Sequence, residues 1–115
     1  MRKFQIQQSA HEVATQVRAV EDSIEAALIE LAELQSRLIR ARAVAGVGIS
    51  TGHEALAQVA SALQGLVAAR GDMAGAHAAL VVAKNQVPGL RTVGFGDATE
   101  CPEEKKKIAH LRSVA

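Results

Sequence analysis

The sequence predicts an all-α protein, a long antiparallel helical hairpin that dimerises into a four-helix bundle, with a loop and a short C-terminal helix appended. Three observations carry this. Glycine and proline are absent from residues 9–45 and cluster at 46–52 and 88–89. Between those breaks, apolar residues recur at intervals of three and four, the helical period. The second of the two stretches has almost no ionised side chains. A chain of 115 residues is one domain's worth, so residues 1–115 read as a single helical domain.

The first helix is expected over residues 9–45. Ser9-Ala10-His11-Glu12 has capping-box spacing, in which the hydroxyl and the carboxylate each satisfy an orphan N–H. The seam then runs Ile6, Ala10, Val13, Val17, Val20, Ile24, Ala27, Leu31, Leu34, Leu38, Ala41 and Ala45, an unbroken heptad pattern. Leu28, Ala32 and Ile39 widen it, as a bundle helix needs. Glu12, Glu21, Asp22, Glu25, Glu30 and Glu33 precede Arg37, Arg40 and Arg42. That order suits the helix dipole. Leu31, Leu34 and Leu38 are the expected contacts within the hairpin.

The segment 46–52 (GVGISTG) is the turn. The second helix is expected over 52–86, opened by a box at Thr51-Gly52-His53-Glu54. Its seam is Leu56, Val59, Leu63, Leu66, Arg70, Met73, His77 and Leu80, with Ala60, Val67, Ala74 and Val81 beside it. From Gly52 to Lys84 the formal charges are Glu54, Arg70, Asp72 and Lys84. A helix apolar around most of its girth is buried around most of its girth. A lone hairpin buries one stripe of each helix, whereas a chain this size buries about 65% of its surface. A second copy is the simplest cover. Gly65, Gly71 and Gly75 would allow close backbone approach there. The oligomer contacts expected are Leu56, Leu63, Leu66, Val67 and Leu80. The competing possibility is that Arg70-Gly71-Asp72 breaks the helix and a monomeric bundle of shorter helices results.

After Pro88 the composition turns Gly-rich and non-periodic, giving a loop over 88–101. Pro102, Glu103 and Glu104 open a short helix over 102–113, with Ile108, Leu111 and Val114 as its thin apolar face.

Composition excludes several functions. The net charge is +1, Trp and Tyr are absent, and the two aromatic residues are Phe4 and Phe95. That gives neither the basic patch of a nucleic-acid binder nor its stacking rings. The single Cys101 can form no intrachain disulfide, and a cytoplasmic location is expected. The N-terminus lacks the apolar core of a secretory signal. The charge-free run 55–69 is shorter than the roughly 20 residues of a membrane span, so membrane association is not expected. The histidines at 11, 53, 77 and 110 have no metal-site spacing, and no Glu-x-x-His motif is present. No cofactor or metal is expected. In the hairpin register His77 falls opposite residue 19, where Arg18 or Glu21 would satisfy it.

The function these features point to is a non-enzymatic assembly or adaptor module. The second helix builds the oligomer, and residues 90–115 are available to another protein. A second reading is phosphotransfer at a bundle-borne histidine, His53 or His77. Histidine phosphotransfer domains are four-helix bundles with an exposed helical His. Neither His53-Glu54-Ala55-Leu56 nor His77-Ala78-Ala79-Leu80 carries the Lys-Gly usual after it there, so this reading is fold analogy alone. A third is association with a membrane surface, which would require the second helix to leave the bundle.

Overall fold

In the computed structural model, residues 2–90 are described. They form two helices, α1 (Arg2–Ala45) and α2 (His53–Asn85), joined as an antiparallel hairpin. No strand occurs among the described residues. The expected all-helical hairpin is therefore present. The loop beyond Leu90, the helix over 102–113, Cys101 and His110 lie outside the described residues.

The helix bounds correct the expectation at one end. α1 begins seven residues before Ser9. The capping box is thus an interior sequence, because residues 2–8 (RKFQIQQ) are all competent helix formers without glycine or proline and extend the helix through it. Its first turn holds no acidic residue. At the other end the expectation is close. Gly46 takes a left-handed φ of 69°, and its N–H donates to the Ala43 carbonyl at 3.2 Å. This is a glycine helix stop, which a Cβ would oppose. α2 opens where the Leu56 N–H donates to the Gly52 carbonyl at 3.2 Å. It runs through Arg70-Gly71-Asp72 without a break.

The described chain divides into two compact units, each with a stretch of both helices. One is Val17–Met73, which holds the turn. There Arg70 hydrogen-bonds and ion-pairs with Glu25 across the hairpin, both side chains more than half exposed. The hydrogen bond first, and the charge second, raise the Arg70 pKa above its ordinary value. The other unit joins residues 2–16 to 74–90. In it Gln7 Nε2 donates to the Gly89 carbonyl at 3.1 Å. Lys3 packs by its aliphatic stem against Gly89, which sits at φ 95°. Leu90 is buried there. The start of α1 is thereby fastened to the segment that follows α2.

Burial along α1 follows the expected heptad line over most of its length and departs from it at Val13, Leu34, Ala41 and Ala45. Half-buried positions include Gln7, Ala10, Ala14, Val17, Glu21, Ile24, Leu28, Leu31, Gln35, Leu38 and Arg42. Of the sequence seam, Ile6, Ala10, Val17, Val20, Ile24, Ala27, Leu31 and Leu38 are half-buried. At two places the line steps by one residue, so Val13 and Leu34 are exposed while Ala14 and Gln35 are half-buried. The physical cause is width. An apolar stripe broader than one partner helix can cover lets the contact line settle to one side in places, and Gln, Glu and Arg side chains pack along it by their aliphatic stems. α1 has no fully buried residue.

Candidate interaction surfaces

α2 holds one buried residue among its 33, His77. Its half-buried line runs Leu56, Val59, Leu63, Leu66, Met73, His77, Val81 and Lys84. The helical period sets the opposite side at Ser61, Ala68, Gly75 and Val82, flanked by Ala57, Gln64, Gly71 and Ala78, all exposed. A Cβ added at Gly65, Gly71 or Gly75 would meet nothing within 4 Å. These glycines therefore relieve no crowding within the chain, although each costs a helix interior about 1 kcal/mol relative to Ala. α2 is long and apolar enough to cross a membrane by length and composition. Its mean hydropathy is 1.3 over the window concerned, of which 6% is buried.

The residues expected to build the oligomer fall in two places. Leu56, Leu63 and Leu66 are half-buried on the line facing α1, whereas Val67 and Leu80 are exposed beside it. Of the expected contacts within the hairpin, Leu31 and Leu38 lie on the half-buried line of α1 and Leu34 lies off it.

The histidines separate clearly. His77 is 6% exposed. No buried side-chain nitrogen or oxygen among the described residues lacks a hydrogen-bond partner, so its imidazole is a satisfied interior group. His53 is exposed as the first residue of α2. Among the described residues no group of three or more His, Cys, Asp or Glu side chains is placed to hold a metal ion.

The turn carries a surface that the sequence reading passed over as a connector. Val44 at the last turn of α1 is 90% exposed, and Ile49 in the turn is 82% exposed. Between them Val47 accepts a 3.0 Å hydrogen bond at its carbonyl from Arg42 Nη1. The Thr51 N–H donates to the Gly48 carbonyl at 3.1 Å and the His53 N–H to that of Ser50 at 3.3 Å. These bonds fold the turn so that an open cleft of about 560 Å³ forms against Leu38, Ile39, Val47, Ile49 and Leu56, with Arg42 at its wall. No acidic residue lies between Glu33 and Glu54, while Arg37, Arg40 and Arg42 all do. Arg37 Nε is paired with Glu33 at 3.0 Å. The signal was legible as three aliphatic residues and three arginines in one acid-free segment.

No family model, no curated protein and no solved structure matches this chain.

Proposed function

We propose that the protein is a non-enzymatic helical assembly module, and that α2 is the face on which a second copy packs. The observation carrying this reading is that an apolar helix of 33 residues buries one side chain within its own chain. Water does not tolerate so large a contiguous apolar surface on a soluble protein without a partner. A helix of that length spans about 50 Å, long enough for the roughly 800 Å² per partner of a standard interface. Antiparallel self-pairing also brings the Glu54 end of α2 towards the partner's Lys84 end, and sets Arg70 and Asp72 near the midpoint. That arrangement is electrostatically favourable.

Light scattering with refractive-index detection tests the proposal, since the chain has neither Trp nor Tyr for absorbance. The expected particle mass is twice the 12.0 kDa of the chain. Gly75→Leu separates assembly from folding. Leucine is a better helix former than glycine by about 0.8 kcal/mol, and nothing within the chain opposes it. The variant should keep or gain helicity and yet fall to the monomer mass. A dimer unaffected by Gly75→Leu, or a wild-type monomer at micromolar concentration, would overturn the assignment.

The phosphotransfer alternative rests on His53, the histidine left accessible on α2. Incubation with a small phosphodonor is expected to give no acid-labile phosphoprotein.

A further inference from the structure

We infer that the hairpin turn is a contact for an anionic lipid bilayer surface, a role independent of the α2 assembly face. Two observations converge on it. Val44 and Ile49 are the two most exposed large apolar side chains of the described chain. Both lie at the one end where the chain reverses. Arg40 and Arg42 stand behind them, Arg37 is paired with Glu33, and Glu54 lines the surface beside Ile49, so arginines outnumber carboxylates at this end and the local charge complements phosphate headgroups.

A bilayer suits this surface better than an acidic protein does. Protein hot spots are pocketed aromatic and arginine anchors held in one geometry, and the turn has no aromatic residue. A fluid interface asks only for aliphatic side chains at the tip and cations at headgroup depth. Each arginine near an anionic surface contributes about 1 kcal/mol, and shallow insertion of Val44 and Ile49 adds to it. Neither signal suffices alone, and stable attachment takes two. The contact is superficial. Arg70 and Asp72 at the centre of α2 are charged groups that a hydrocarbon core strongly disfavours, which argues against a span.

Flotation of the full chain with vesicles tests this. Vesicles of phosphatidylcholine with one third phosphatidylglycerol are expected to carry the protein. Pure phosphatidylcholine vesicles are expected to carry at least ~10-fold less, and half-molar salt should release it. Arg40→Gln should weaken binding ~5-fold, the equivalent of one lost cation. The double variant Val44→Ser/Ile49→Ser should weaken it by a similar factor, with the far-ultraviolet dichroism unchanged. Gly75→Leu should leave flotation intact, which separates this contact from the assembly face. The inference is overturned if no flotation occurs or if neutral and anionic vesicles bind alike. It is equally overturned if the serine pair floats like wild type, or if acidic polypeptide binds with the same dependence on the tip residues.

Discussion

His77 and His53 show how far one residue type can diverge on one helix. Both were candidates for the same chemistry in sequence. His77 is interior with its polar atoms satisfied, and His53 sits in water at a helix start. Truncation therefore has opposite consequences. His77→Ala removes the one buried side chain of α2 together with the interior interaction it makes, at a cost of about 1–3 kcal/mol. His53→Ala stays within about 0.5 kcal/mol of wild type. Urea unfolding followed by dichroism at 222 nm reads both, and equal losses would contradict the burial difference. Gly46 is decided by backbone rather than by contacts. Its φ of 69° is left-handed, with nothing near the missing Cβ. Gly46→Ala should cost about 1–2 kcal/mol through conformation alone, an effect the same measurement detects.

At the scale of the element, periodicity identified both helices and glycine identified the turn, because those signals are local. The start of α1 and the phase of its contact line were less legible. Ser9-x-x-Glu12 offers a capping box, yet seven helix-forming residues precede it and continuation leaves fewer backbone groups unpaired. The phase shifted at two positions for a different reason. Val13 and Ala14, or Leu34 and Gln35, are adjacent candidates, and only the width of the partner helix chooses between them. The choice left Val13 and Leu34 outside, where a further helix would cover them. The early start also sets Arg2 and Lys3 against the positive end of the helix dipole. Arg2→Glu should therefore stabilise the protein by about 0.3–1 kcal/mol at low salt and by less at high salt. An unchanged or lowered unfolding midpoint would show that the first turn is frayed in solution.

For the whole molecule, the sparse charge of α2 was visible in sequence, whereas the exposure of Val44 and Ile49 at the turn was not. Val44, Val47 and Ile49 are unremarkable as letters, and their meaning depends on the turn placing Val44 and Ile49 in water while Val47 is partly sheltered. The assembly reading has a consequence for how folding itself behaves. Among the described residues two side chains are buried, His77 and Leu90. Conformational entropy opposes folding by about 1–2 kcal/mol for each residue fixed, and a hairpin so little buried has weak means to offset it. If a second copy supplies the missing burial, folding and association are one equilibrium, and stability becomes a function of protein concentration. Each tenfold dilution then removes RT ln 10, about 1.4 kcal/mol, from the dimer, which lowers the thermal midpoint by about 3–6 °C for a particle of twice this length. The expected record is a set of melting curves, followed at 222 nm from 1 to 100 μM, that move to higher temperature with concentration and keep their cooperativity. Gly75→Leu should abolish that dependence. Superimposed wild-type curves across the range would mean that the single chain holds its helices unaided, and the exposed face of α2 would then need a different occupant.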